Sequence, residues 1–360
     1  MAHLVFQTAF PGDLFLSVPL MKRIKEWDFS TPVVLACRPG LGDFFVRFGL
    51  ADVVISVDKK KGAEEALKQL RAQEWDTIFS PHESVRTALW MRSLKAKRKV
   101  GFRKWWNGLV YDTRVERPLD FPDALRQLSL LTPLDSRLAE LFGSEEAQAL
   151  RSPTTRSGPV DFRVPMIPEW ASMQVMQHSP ERGVVFLAPG SVWATKRWTQ
   201  SGYVDLACAL LSSGVDVELV GSKAEKPLCD EIQQQVHAHV VAGMVKTLSA
   251  GFLGKLTNKA GETSLTELVL LLNKGVALVS NDSGAMHAAA AAGLPTVAVF
   301  GPTTLDLGYR PWQNRAIVIQ HELGCRPCGK HGHDRCPIGT HACMKNITPS
   351  EVLGTLQQLI

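Results

Sequence analysis

Residues 276–303 read VALVSNDSGAMHAAAAAGLPTVAVFGPT. The run Val276-Ala277-Leu278-Val279 has the length and β-branched content of a buried parallel strand, and it gives way to the polar turn Ser280-Asn281-Asp282-Ser283-Gly284. Ala285 to Ala292 is nearly all alanine, the best helix former and one that lets a helix lie close on a sheet. Gly293-Leu294-Pro295 stops it. A second buried strand, Thr296 to Phe300, runs into the glycine turn Gly301-Pro302-Thr303. This strand, loop, helix, strand unit puts Asp282, Ser283, Gly284 and a helix N-terminus at the carboxyl end of a strand, where open α/β sheets bind ligands. Backbone N–H groups and the helix dipole there suit a phosphate, and His287, one turn further in, can face the same ligand. The plainer alternative is that Asn281, Asp282 and Ser283 only cap the helix.

The segment SNDSGAMHAAAAAGLPTVAVFGPT resembles the nucleotide-sugar loop of glycosyltransferase family 9, the bacterial lipopolysaccharide heptosyltransferases. In that family an Asp-Ser/Thr-Gly-x-x-His run contacts the donor diphosphate and sugar. The resemblance therefore implies donor contacts for Asp282, Ser283, Gly284 and His287.

At 360 residues the chain suits two domains of α/β size. A hydrophobic share of 45%, a charged share of 21% and a mean hydropathy near zero describe an ordinary soluble protein. No apolar run approaches the roughly 20 residues needed to span a bilayer. The start, MAHLVFQTAF, lacks a basic leader and reads as a first strand, so a cytoplasmic protein is expected. A formal charge of +5 argues for a local basic surface and against a general nucleic-acid binder.

Leu4 to Thr8 is a short apolar strand, followed by Ala9-Phe10-Pro11-Gly12-Asp13 and an amphipathic segment, Leu14 to Trp27, that predicts one helix. Asp13 then lies near a helix N-terminus, where a capping role competes with a catalytic one. Family 9 enzymes carry a Gly-Asp in this loop, and the resemblance implies that Asp13 is the general base. Strands at 32–37, 53–57 and 77–80 alternate with helices at 41–50 and 63–73, a doubly wound pattern. From Ser84 to Tyr111 there is no acidic residue, while Arg86, Arg92, Lys95, Lys97, Arg98, Lys99, Arg103 and Lys104 run up to Trp105-Trp106. Basic residues beside tryptophans suit anionic lipid head groups or a phosphorylated glycolipid; a solvated basic face is the alternative.

Leu150 to Trp170, with five prolines and glycines, reads as an interdomain linker. The second half opens with the buried strand Gly183 to Ala188 and the turn Pro189-Gly190-Ser191. This Gly-Ser turn, with Lys196 beyond it, offers N–H groups, a hydroxyl and a cation to a diphosphate. PGSVWATKRW is similar to the family's Pro-Gly-x…Lys-x-Trp segment, which extends donor contacts to Ser191, Thr195 and Lys196. A strand at 215–220 ends in Gly221-Ser222-Lys223-Ala224-Glu225, where the family supports the adenosine ribose with an acid; Glu225 also precedes a helix, where the dipole alone favours it. Residues 246–262 read as a glycine-bearing surface loop without assigned function.

Cys37, Cys208 and Cys229 are scattered and read as small hydrophobes. Cys325, Cys328, Cys336 and Cys343 cluster, with His331, His333 and His341 interleaved, and so are candidates for a structural zinc, for reduced packing cysteines, or for a disulfide. Thr348-Pro349-Ser350-Glu351 signals a last helix.

The resemblance covers nearly the whole chain and implies an α/β fold of the GT-B type. Its parts are an acceptor-binding domain over residues 1–165, a nucleotide-sugar domain over 166–346, and a helix over 347–360 placed to cross back to the first domain. The implied reaction is inverting transfer of heptose from ADP-heptose to the lipopolysaccharide core, without a catalytic cofactor, in a cleft between Asp13 and the Asp282 loop. Arg98, Lys99, Arg103, Lys104, Trp105 and Trp106 would face the acceptor or the inner membrane. A transferase for another nucleotide sugar, a nucleotide-sugar epimerase and a non-catalytic binding protein are the competing readings.

Overall fold

The structure, a computed structural model, describes residues 1–59, 62–155, 158–163, 165–247 and 252–360. Two compact units divide it: Met1–Arg151 with Ile167–Met173, and Ser152–Met166 with Gln174–Ile360. The proline-rich stretch near 150–170 is therefore shared between both units.

The first unit runs β1 (Ala2–Phe6), α1 (Pro11–Phe15), α2 (Val18–Trp27), β2 (Val33–Cys37), α3 (Asp43–Arg47), β3 (Val53–Ser56), α4 (Glu64–Arg71), β4 (Glu74–Ser80), α5 (Val85–Arg92), β5 (Lys95–Phe102), β6 (Thr113–Val115), α6 (Asp123–Leu128), α7 (Ser136–Gly143) and α8 (Glu145–Ala149). Its sheet is ordered β3-β2-β1-β4-β5-β6 and every pairing is parallel. Parallel strands covered on both faces need apolar runs, and Leu4, Val34, Ile78 and Trp75 supply them at the core. The loops after β1, β2, β3 and β4 consequently open at one edge.

One expectation changes here. The single helix predicted over 14–27 is two, α1 and α2, because Pro19 at the start of α2 lacks the N–H that a continuous helix would use. Within the basic interval, Lys95–Phe102 forms β5 between β4 and β6.

The second unit comprises β7 (Val160–Asp161), β8 (Val184–Ala188), α9 (Gln200–Ser212), β9 (Asp216–Leu219), α10 (Lys226–Val241), β10 (Leu256–Asn258), α11 (Leu265–Asn273), β11 (Ala277–Asn281), α12 (Gly284–Ala292), β12 (Thr296–Phe300), β13 (Ala316–Gln320), α13 (Ala342–Lys345) and α14 (Pro349–Leu359). The order is β10-β9-β8-β11-β12-β13-β7, parallel except for β7 against β13. Strand order reverses between β8 and β11, so the loops after these strands diverge and open a crevice. Ala288 to Ala292 are all buried, as the close helix-on-sheet packing of alanine requires, and Gly293 ends α12 at φ 72°, a left-handed conformation that glycine adopts without strain. The loop expected over 246–262 contains β10, parallel to β9; its residues 248–251 lie outside the described residues. Val352, Leu356 and Leu359 of α14 join Leu206, Ile319 and Met344 in the core of this unit.

Candidate active site

The loops at the carboxyl ends of β8 and β11 in the second unit are built around Asn281, the fully buried last residue of β11. Its Oδ1 accepts from Trp198 N at 2.9 Å and lies 3.1 Å from the Tyr203 hydroxyl, while its Nδ2 donates to Pro189 O at 2.8 Å and Gly190 O at 3.2 Å. One side chain thus joins the Pro189-Gly190 turn, the Lys196-Arg197-Trp198 segment and α9. A buried amide with all four positions used is stiff, because any rotation leaves polar groups unpaired.

That frame delivers Lys196 to Asp282. Lys196 Nζ lies 2.6 Å from Asp282 Oδ2, and the Thr303 hydroxyl donates to the same oxygen at 2.6 Å. Asp282 is 5% exposed and Lys196 9%, so the ion pair sits at the edge of water beside the N-terminus of α12. Ser283 occupies the N-cap position but turns its hydroxyl to Ser280 Oγ, 3.2 Å away, and makes no capping bond to the helix. The capping alternative for Ser283 therefore fails, and the first-turn N–H groups from Gly284 onward retain their affinity for an anion. His287 is buried in the same helix. Ser191 is also buried, and its carbonyl accepts from Arg197 Nε at 2.9 Å. Glu225 follows β9; its Oε2 accepts from Ser222 N and Oγ at 2.7 and 2.8 Å, and its carboxylate lies directly over Gly190, where a Cβ would meet Glu225 Oε1 at 2.2 Å. Only glycine permits that approach.

Thr195 proves to be used otherwise than expected. Its N–H and hydroxyl both donate to His333 O, at 3.0 and 2.7 Å, its hydroxyl oxygen accepts from His333 N at 2.8 Å, and its carbonyl lies 2.8 Å from His341 Nε2. A donor contact through this hydroxyl would compete with that docking. Thr195→Val keeps the shape but strands the His333 N–H, an expected loss of about 1 to 3 kcal/mol. Faster amide hydrogen exchange over residues 329–341, with the core of the unit unchanged, would register it.

The cysteine segment is thus a strap on the Lys196 turn. Trp193 stacks on His331 with centroids 6.2 Å apart, Cys328 N donates to Pro302 O at 2.8 Å, and Met344 packs so closely on Gly301 that a Cβ there would meet its sulfur at 2.8 Å. The four thiols do not fit a zinc site. Cys343 faces the core, where burial pushes its thiol up to about 11; Cys328 donates to Cys325 O at 3.1 Å; and Cys336 accepts from His341 N, which holds its thiol below the usual range. Among the described residues no group of three or more His, Cys, Asp or Glu is disposed to hold a metal ion. Of the three alternatives the cysteine spacing left open, these contacts support reduced cysteines that pack and dock backbone, and a structural zinc has no support among the described residues.

In the first unit Asp13 lies in α1, partly exposed, and its Oδ2 accepts from Phe10 N at 3.2 Å. Around the same edge stand two cations that the sequence reading passed over. Arg38, after β2, donates through Nε to Thr8 O at 2.9 Å and covers the Phe10 ring at 4.5 Å. Lys59, after β3, is half-buried, and burial together with the charges of Arg38 and Arg86 pushes it down to about 8.

The basic interval is more neutral than its sequence. Lys97 pairs with Asp76 at 2.8 Å, Arg103 with Glu116 at 2.9 Å and Lys104 with Glu83 at 2.7 Å, while burial lowers Lys99 against the opposing influence of Asp112. These acids lie just outside the interval and arrive by strand pairing. Trp105 is exposed, Trp106 packs partly on the core, and Arg98 is exposed.

The glycosyltransferase family 9 (heptosyltransferase) model matches residues 65–336, well over half the chain. The chain belongs to glycosyltransferase family 9. Lipopolysaccharide heptosyltransferase 2 of Escherichia coli K12 is 33% identical to this family 9 chain over 183 residues, 51% of this chain and 48% of its own length. Lipopolysaccharide heptosyltransferase 3 of the same organism is 25% identical over 334 residues, 86% of this chain and 84% of its own length. The chain spans about half the length of the heptosyltransferase 2 relatives it matches. Among solved structures, E. coli ADP-heptose lps heptosyltransferase II aligns with a TM-score of 0.72 at 24% identity, over 100% of this chain and 98% of that one. That likeness is one of fold, the two-sheet GT-B class.

The bonding roles of Thr303 and Asn281, and the cations Arg38 and Lys59, are what this family 9 sequence concealed. Thr303 stands in the quoted GPT turn after β12, and the pairing of β11 with β12 brings it beside Asp282, 21 residues earlier. Arg38 and Lys59 each follow a strand, a placement that could have marked them.

Proposed function

We infer that this chain transfers a heptose from ADP-heptose to the inner core of lipopolysaccharide with inversion at the anomeric carbon. The observation that carries the reading is the buried Lys196–Asp282 pair at the mouth of α12, on the segment that matches the family's donor loop. The relatives' names supply the sugar and the acceptor. In a single displacement an acceptor hydroxyl attacks the anomeric carbon, its proton passes to Asp13, and the bonding pair leaves with ADP. Lys196 and the first N–H groups of α12 stabilise the charge gathering on the leaving diphosphate, and a fixed cation and fixed dipoles need no reorganisation as it develops. Asp282 and Thr303 hold Lys196 for that task, with Ser191, Ser283, Gly284 and His287 lining the donor loops and Glu225 serving the ribose. No catalytic metal or other cofactor takes part in this scheme.

Arg38, Lys59 and Arg86 are assigned to the anionic groups of the core, and Arg98 with Trp105 to peripheral contact with the inner membrane, alongside Lys99, Arg103, Lys104 and Trp106. No helix among the described residues is long and apolar enough to cross a membrane. ADP release from ADP-heptose, followed with and without a truncated core acceptor, tests the function. Acceptor-dependent release is expected. Conversion of the donor sugar without acceptor would favour an epimerase, and neither event a binding protein.

Lys59 gives this reading a pH signature. Held down to about 8, it carries its charge below that pH and loses it above, whereas bound phosphate favours the charged form. Core binding at pH 8 should therefore take up protons, and affinity should fall as pH rises from 7 through 9. Calorimetry of core binding in two buffers of different ionisation enthalpy measures the uptake, which Lys59→Met should remove; identical proton uptake in the variant would take Lys59 out of the site.

A further inference from the structure

We propose that Gln127, on α6, is a positioning residue for Asp13; the inference rests on Asp13 acting as the general base. α1 is five residues long, too short to hold its own geometry, and the chain breaks before α2. At that break Ser17 N donates to Leu14 O at 3.0 Å, and the Asp13 carbonyl instead accepts from Gln127 Nε2 at 3.1 Å.

Gln127 is buried and all four of its hydrogen-bonding positions are used. Nε2 also donates to Asp123 Oδ2 at 2.8 Å, and Oε1 accepts from Ser17 Oγ at 2.5 Å and from Gln7 Nε2 at 3.2 Å. Its orientation follows from the chemistry of these partners: the reversed amide would aim its oxygen at a carbonyl and a carboxylate. The partners span both sides of the Asp13 loop. Gln7 lies just after β1 and accepts from Ala9 N at 3.3 Å, and Ser17 lies just before α2. Asp123 is in turn clamped by Arg117, which also binds Glu83, the partner of Lys104. A rigid buried frame thus ends on the backbone of the residue that must meet the acceptor hydroxyl. The carboxylate accepts from Phe10 N at 3.2 Å, and it is carried on the backbone that Gln127 holds through the Asp13 carbonyl.

A misplacement of about 1 Å can cost on the order of 100-fold in rate. Gln127→Met removes the amide at nearly constant volume, and kcat with ADP-heptose and truncated core should fall ten- to a hundredfold, with the KM for donor and the calorimetric affinity for ADP within twofold. Gln127→Glu provides a signature that simple loosening would not. The introduced carboxyl can donate to the Asp13 carbonyl only while protonated, and next to Asp123 it holds its proton to higher pH than an ordinary carboxyl. Activity of this variant relative to wild type should therefore rise as pH is lowered from 8 to 6. A cooperatively melting Gln127→Met with kcat within twofold of wild type overturns the proposal. If that variant does not melt cooperatively, Gln127→Glu decides alone: a pH profile parallel to wild type overturns it. Asp13→Asn is run beside both, since near-normal turnover there would refute Asp13 as the base and leave Gln127 nothing to position.

Discussion

Asp13→Asn should cut transfer by about two to four orders of magnitude, the usual contribution of a general base, while ADP affinity stays within a few fold. The substitution isolates one property. An asparagine side chain still offers an oxygen to Phe10 N, so the hydrogen bond that orients residue 13 is kept, and the carbonyl held by Gln127 is untouched. What disappears is the capacity to accept a proton, which matters only as the acceptor hydroxyl attacks; kcat and kcat/KM should fall together. ADP release against acceptor concentration reads the first expectation, and calorimetry with ADP reads the second. Turnover near the wild-type value would remove Asp13 as the base, and a parallel collapse of ADP affinity would mark it as structural.

Lys196→Ala should have two separable effects. The carboxylate of Asp282, almost fully buried, would keep only the Thr303 hydroxyl on the oxygen that now serves both, and breaking a buried pair by deleting one partner costs about 3 to 5 kcal/mol of stability. Affinity for ADP should also fall, by about 1.5 to 3 kcal/mol for a lost charge-assisted contact, which is roughly 10- to 150-fold. The double change Lys196→Ala with Asp282→Ala removes the stranded charge. It should recover most of the melting temperature and none of the affinity. Wild-type ADP binding in the double variant would reduce the lysine to a structural role.

The β11–α12–β12 unit was legible because each of its elements carries a local signal: continuous apolar strands, alanines, and a glycine at the one position with positive φ. Other parts depend on neighbours distant in sequence. β10 is three residues, too short to show a period, and exists through its pairing with β9. The basic interval looked uniformly cationic because Asp76, Glu83, Asp112 and Glu116 lie outside it and come alongside only when β4, β5 and β6 pair. The cysteine spacing suggested metal, but a thiol's fate depends on what it faces, and Cys343 faces the core. Thr195 was given a donor contact through the resemblance of its segment, whereas its polar atoms meet a backbone 138 residues further on.

That separation has a bearing on biosynthesis. The ribosome delivers the Trp193–Arg197 turn long before His333, and domains fold as units while the chain emerges. β8, β9 and the helices between them can assemble as soon as they are made, yet the turn holding Lys196 gains its salt-bridge partner only with Asp282 and its backbone dock only with His333. A chain interrupted or clipped shortly before His333 would keep the strands β8 to β13 and lack the fastening of its Lys196 turn. The late strap thereby makes the fastening of the Lys196 turn wait on residues translated long after it.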